Sequence, residues 1–269
     1  MRTTKVVGIL NVTRDSFSDG GLYLETSAAI QKARTLIADG ADLIDIGAES
    51  SRPEGQPVSA QEEINRLSPI IKVLKEEKIT LSVDTYKPEV MRRVLEMGVD
   101  MINDITALKD PASVETVKEF GTPVVIMYSR GGGPHADRTV RDHHHLMDEI
   151  LNFFDNRIGT LTKSGIRLEN IIIDPGMGFF LGGNSEPSLM VLKHLTELKR
   201  FGTQLYLSTS RKSFIGSILH REVSRRSAGT LATEVWAYLQ GVDFLRTHEV
   251  EPLRDALRML QAIQNDRIN

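Results

Sequence analysis

The chain has 269 residues, 40% hydrophobic and 26% charged, with a net charge of −3 and no cysteine. That composition suits a globular fold with ample core material and excludes a disulfide framework, a thiolate nucleophile and a zinc–thiolate site. The slight negative charge offers no field for nucleic acid or an anionic membrane surface, and no apolar run approaches the roughly 20 residues that span a bilayer. Met1 to Lys5 lead straight into an apolar stretch without a signal-peptide layout, so the expectation is a cytoplasmic protein with no nucleic-acid or membrane partner.

In chain order, a short apolar run, a loop and a longer amphipathic stretch recur from end to end. The apolar runs cover residues 5–10, 43–47, 79–84, 101–104, 123–127, 170–174, 204–208 and 244–246. They are near-continuous rather than alternating, as in parallel strands buried on both faces. Helical stretches lie between them at 27–38, 60–78, 88–97, 110–120, 146–164, 188–201 and 228–240, and 253–263 closes the series. Gly40, Gly98, Gly121, Gly165, Gly202 and Gly241 stand where helices end. Eight strand–helix units predict a (β/α)8 TIM barrel, with a doubly wound open sheet as the alternative. No linker or low-complexity tract divides the chain, so residues 1–269 are read as one domain.

Catalytic groups of such barrels sit where strands end, and the unusual residues fall there. Asn11 ends the first strand, with an oxygen suited to a hard cation; an ordinary turn is the other reading. Ser50-Ser51-Arg52-Pro53 follows the second strand, and a hydroxyl pair beside an arginine can bind an oxyanion or simply be exposed. Asp84, Asn103-Asp104 and Asp174 end the third, fourth and sixth strands. Carboxylates and an amide converging there could bind metal, act as bases or accept from the N–H groups of a planar heterocycle. Thr209-Ser210-Arg211-Lys212-Ser213 leads into a helix after the seventh strand and suits an anion or a ring carbonyl. Alternation aims Arg246 and His248 the same way, so they could grip one phosphate. His143-His144-His145 is read as an exposed helix boundary, since successive helical residues diverge. Gly131-Gly132-Gly133-Pro134 is read as a flexible loop, a possible lid. No GxGxxG, Walker A, HExxH or GxSxG pattern occurs.

Taken together, these segments resemble the dihydropteroate synthases of the pterin-binding family. The resemblance rests on Gly8-Ile9-Leu10-Asn11-Val12-Thr13 with Asp15-Ser16-Phe17-Ser18-Asp19-Gly20-Gly21, on Gly40-Ala41-Asp42 through Ser51-Arg52-Pro53, and on Val83-Asp84-Thr85. It continues through Ile102-Asn103-Asp104, Asp174-Pro175-Gly176, Thr209-Ser210-Arg211-Lys212-Ser213-Phe214 and Arg246-Thr247-His248. It implies an enzyme that joins a dihydropterin methyl diphosphate to 4-aminobenzoate and releases pyrophosphate, with magnesium as cofactor and a homodimer as the common assembly. Carried over by position, Asp84, Asn103, Asp174 and Lys212 would hold the pterin, with Met127 packed under it. Ser51, Arg246 and His248 would meet the diphosphate, and Asn11 would bind Mg2+. Phe17, Arg52, Pro53 and Ser213 would frame the aminobenzoate, with Phe179 beside it. Asp84, Lys212, Arg246 and His248 are the implied catalytic set.

The chain departs from the family pattern at Arg14, where proline is usual, at Ser51 for threonine, at Ala48 for glycine and at Tyr128-Ser129 for His-Met. Gly178-Phe179-Phe180-Leu181 replaces the commoner Gly-Phe-Gly-Lys and resembles the sulfonamide-resistance members, whereas Arg52-Pro53 resembles the chromosomal ones. Two other functions compete: a methyltetrahydrofolate-dependent methyltransferase and a non-catalytic pterin-binding paralogue. The Ser51-Arg52 and Arg246-Thr247-His248 segments favour the synthase over the first; for the second, the pterin-holding set argues against lost binding but not against lost turnover.

Overall fold

The computed structural model describes residues 4–12, 21–51 and 53–264, with the backbone alone for 21–25. Among them, eight parallel strands close into a barrel in sequence order: β1 (Lys5–Asn11), β2 (Leu43–Gly47), β3 (Leu81–Asp84), β4 (Met101–Asp104), β5 (Val124–Met127), β6 (Ile171–Asp174), β7 (Gln204–Leu207) and β8 (Phe244–Thr247). Closure is completed by β1 pairing with β8, Val7 opposite Arg246. The open-sheet alternative is thereby removed.

The helices are α1 (Gly21–Ala38), α2 (Ala60–Glu76), α3 (Pro88–Glu96), α4 (Pro111–Phe120), α5 (Leu146–Lys163), α6 (Glu186–Lys193), α7 (Ser213–Leu219), α8 (Ser227–Leu239) and α9 (Val250–Gln264). Their local signals are physical. Asp110 caps α4 by accepting from the Ala112 N–H at 2.8 Å, Pro111 supplies the first turn, and Gly121 ends it in the left-handed region. α3 buries Val90, Met91, Val94 and Leu95 as one stripe against the barrel. None of the helices among the described residues is long and apolar enough to cross a membrane.

Differences from the sequence expectation are local. Residues 188–201 do not form one helix: α6 stops at His194, whose φ of −110° breaks the α geometry, and a 3-10 segment, Leu195–Phe201, follows. Asn170 lies outside β6, in a 3-10 turn, where its amide donates to the Gly121 carbonyl at 2.8 Å and holds the end of the previous unit. The unit after β7 holds two helices, α7 and α8, where the sequence pattern showed one clear amphipathic stretch.

Candidate active site at the barrel mouth

Strand alternation sorts the barrel interior into levels. Val7, Leu43, Met101, Val125, Ile172, Tyr206 and Phe244 form a separate buried apolar cluster, the floor. Two residues further along the same strands the inward positions become polar: Asp45 follows Leu43, Asn103 follows Met101, Asp174 follows Ile172 and Arg246 follows Phe244. Asp84 stands in register with Asn103, and Met127 with Asp174. Inward alternation along separate strands therefore turns Asp84, Asn103, Met127, Asp174 and Arg246 into the interior at the mouth end of the barrel.

Their contacts are specific. Arg246 Nε donates to Asp45 Oδ2 at 2.6 Å and its Nη2 to Asp84 Oδ2 at 3.2 Å, while Asn103 Nδ2 donates to the same Asp45 oxygen at 3.1 Å. Asp174 Oδ1 accepts from the Gly176 N–H at 2.8 Å. Lys212, immediately before α7, lies within electrostatic reach of Asp174 and Asp84, its ammonium 5.0 Å from the centre of the Phe180 ring. The apolar side of the mouth is a small cluster of Ile105, Met127, Ala136 and Phe180, with Phe179 against it.

Burial sets the protonation chemistry. It pushes the Asp84 carboxyl up to about 7, against the opposing pull of Arg246 and with the like charge of Asp45 adding to it. It pushes Asp174 up to about 6, restrained by the Gly176 N–H and Lys212, and lowers Lys212 to about 8, restrained by Asp174. Burial also disfavours the charged form of Arg246, but Asp45, Tyr206 and Asp84 more than offset it, so the guanidinium stays protonated. Two acids and a lysine poised near neutrality, beside a fixed cation, form a site that responds strongly to the hydrogen-bonding edge of a flat polar ligand.

The loops complete the mouth. Ser51 and Asp84 face one cleft with Ile105 and Pro134. The loop after β5 is docked on the loop after β2: the Ala136 N–H donates to the Ser51 carbonyl at 3.0 Å, and Arg138 pairs with Glu54. Arg138 also lies over the Phe179 ring, 5.5 Å from its centre. Gly131-Gly132-Gly133-Pro134 thus belongs to a clasped segment. Gly178, at φ +65°, lets its loop pass Lys212 and Ser213: a Cβ there would stand 3.3 Å from both side chains.

Among the expected site residues, Asp84, Asn103, Met127, Asp174, Lys212 and Arg246 come together. Asn11 ends β1 exposed at the mouth, and Pro53 and Ser213 are half-buried on loop and helix starts. His248 faces Ser210, its Nδ1 2.9 Å from the hydroxyl. Arg246, on the strand that leads to His248, donates to Asp45 and Asp84. Phe17 and Arg52, like Arg14, lie outside the described residues. The half-buried His143 ring and the exposed His144 ring stack on each other at 5.3 Å, and no cluster of metal-binding His, Cys, Asp or Glu occurs among the described residues.

Sequence reasoning missed Asp45. Its signal was a charged residue inside a run buried on both faces, two positions before Gly47 and hence aimed inward. Glu49 was also passed over: it accepts from the Val58 N–H and the Tyr86 hydroxyl, each at 3.1 Å, and pairs with Lys87, which reaches Glu63 at 2.7 Å.

Over residues 7–248 the chain matches the family of pterin binding enzymes. It is 46% identical over 261 residues to dihydropteroate synthase type-3 of Escherichia coli, covering 97% of this chain and 99% of that one. It is 37% identical over 265 residues to the dihydropteroate synthase of Escherichia coli K12, covering 98% and 93%. The solved structure of the Xanthomonas albilineans dihydropteroate synthase with 4-aminobenzoic acid superposes with a TM-score of 0.90 at 38% identity, covering 97% and 93%.

Proposed function

The chain belongs to the pterin-binding enzyme family, among its dihydropteroate synthases, and on that premise we propose how its own residues carry the reaction. The reaction condenses 6-hydroxymethyl-7,8-dihydropterin diphosphate with 4-aminobenzoate, giving 7,8-dihydropteroate and pyrophosphate for folate biosynthesis. The observation that carries the assignment is the convergence at the barrel mouth of Asp84, Asn103 and Asp174 from separate strands with Lys212 from the start of α7.

In this reading Asp84 and Asp174 accept from the ring N–H groups, Asn103 adds an amide contact and Lys212 donates to the ring carbonyl. Met127 packs against the ring face. Ring binding supplies N–H donors that favour the ionised carboxylates, offsetting the burial that holds them near neutrality. As the bond from methylene carbon to phosphate oxygen breaks, the electron pair leaves with pyrophosphate and positive charge spreads over the methylene and the ring. Asp84 and Asp174 stabilise that charge because they are already in place. The aromatic amine then forms the C–N bond and gives up one proton; it is a neutral nucleophile that needs position more than a strong base. Ser51 and His248 are the groups assigned to the diphosphate. Arg246, anchored by two carboxylates at the ring level, is assigned to the diphosphate with them.

Asn11 offers a single neutral oxygen at the mouth. That fits Mg2+, which keeps several waters and takes most remaining ligands from substrate phosphates. Bound there, the cation would neutralise charge on the departing pyrophosphate. Pro53, Phe179 and Ser213, with Phe17 and Arg52, are assigned to the aminobenzoate.

Two finer readings belong to the same proposal. The Phe179-Phe180 pair beside Arg138 supports altered sulfonamide selection; an inhibition constant equal to that of the Escherichia coli K12 relative would refute it. Ile218, Leu219, Val223, Trp236 and Leu239 leave an exposed apolar face around α7 and α8, which supports pairing of two chains; a monomer in light scattering at micromolar concentration would refute that. The activity itself is tested by pyrophosphate release with and without 4-aminobenzoate. Release that depends on the amine supports the synthase, and none in either case indicates a non-catalytic paralogue.

A further inference from the structure

Asp45 has no solvent exposure, yet its Oδ2 takes two donors that both belong to the proposed pterin level, Arg246 Nε at 2.6 Å and Asn103 Nδ2 at 3.1 Å. Each contact has a directional consequence. With its Nδ2 spent on Asp45, the Asn103 amide turns its carbonyl oxygen away from that carboxylate, leaving an acceptor for a ring N–H. With its Nε on Asp45, Arg246 reaches Asp84 through one nitrogen only, at 3.2 Å, rather than as a bidentate fork that would occupy both oxygens of the ring-binding carboxylate. We propose that Asp45 is a positioning residue of the synthase: it holds the Arg246 guanidinium off Asp84 and fixes the Asn103 amide, keeping the pterin-binding edge open. The inference rests on the function proposed above.

The electrostatics follow from the same arrangement. Asp45 faces Arg246 on β8, Asn103 on β4, Tyr206 on β7 and Asp84 on β3. Asp84 in turn feels Arg246, Asp45, Glu63 of α2, Asp104 of β4 and Lys212. Among these, Asp45 is the like charge that acts most strongly on Asp84, after burial and Arg246, and it makes Asp84 harder to ionise. Removing that charge, and freeing Arg246 to pair fully with Asp84, both lower the pH at which Asp84 gives up its proton.

The test measures binding of 6-hydroxymethyl-7,8-dihydropterin diphosphate by calorimetry from pH 5 to 9, for wild type and Asp45→Asn. The expected result is a Kd raised more than threefold at pH 8, with the acid limb of binding moved to lower pH. A Kd within threefold of wild type, or a loss uniform across pH, overturns the proposal. Should Asp45→Asn leave Arg246 unpaired and the chain unfolded, Asp45→Asn/Arg246→Gln removes both charges together and is compared with Arg246→Gln. A double variant within threefold of Arg246→Gln supports action through the arginine, and a larger further loss overturns it. Wild type that binds the pterin diphosphate but releases no pyrophosphate would sink the synthase reading and leave this test intact.

Discussion

The residues assigned to the pterin stand mostly on strands, and those assigned to the aminobenzoate stand on loops. Asp84, Asn103, Met127, Asp174 and Arg246 have places dictated by their strands, whereas Pro53 sits in the loop after β2 and Phe179 lies under Arg138 of the loop after β5. A strand residue cannot shift by one position without turning outward. A loop residue is free to change at small cost to the fold. The ring-holding half is therefore built for invariance, and the amine-holding half for adjustment.

The sharpest way to break this contrast is Lys212→Ala. Turnover is expected to fall about 10³-fold with little loss of thermal stability, because Lys212 stands half-buried at the mouth rather than in the core. Steady-state pyrophosphate release with calorimetric unfolding reads both; a loss under tenfold would mean that the chemistry is not centred on the strand-borne half. Next comes the backbone that presents Asp174. Gly176 sits at φ +70°, and an added Cβ would collide with the Tyr128 carbonyl. Gly176→Ala should cost about 3 kcal/mol in urea unfolding, and a cost below 1 kcal/mol would show that this turn yields.

A third test addresses the rigid half away from the ligand. Glu234 on α8 is buried, and burial pushes its carboxyl up to about 8, with the Thr247 hydroxyl pulling the other way. The folded chain thus keeps the proton where the unfolded chain releases it, so stability from this group is full below about pH 4.5 and is lost as pH rises to about 8. Glu234→Gln should raise the melting temperature by roughly 4–8 °C at pH 9 and leave it unchanged at pH 4; an equal shift at both values would refute the titration. The smallest effect belongs to the loops. Pro53→Ala should raise KM for 4-aminobenzoate about fivefold, near 1 kcal/mol, with kcat within twofold, and a matching fall in kcat would erase the distinction between the halves.

Much of the strand-borne half was legible in the sequence because period and function coincide there. Apolar runs closing on Asp84, Asn103 or Asp174 mark both the strand and the end of it assigned to the ring. Leu43–Gly47 hid Asp45 for the same reason: within a run buried on both faces, one acid is visible only after its neighbours are assigned inward or outward. The pull of Arg246 toward Asp45 and Asp84 was illegible because it joins residues 201 positions apart in the chain, closed together only by the β1–β8 seam. The start of β6 was misplaced where a polar side chain overrode the pattern, as Asn170 does by donating to the Gly121 carbonyl.

The clasp between the loops after β2 and β5 reaches into inheritance. Ala136 hangs on the Ser51 backbone, and Arg138 joins Glu54 to the Phe179 ring. A gene crossover that imported one of these segments without the others would separate parts that evolved as a matched set. Viable chimaeras with related genes should therefore exchange residues 49–180 as one block.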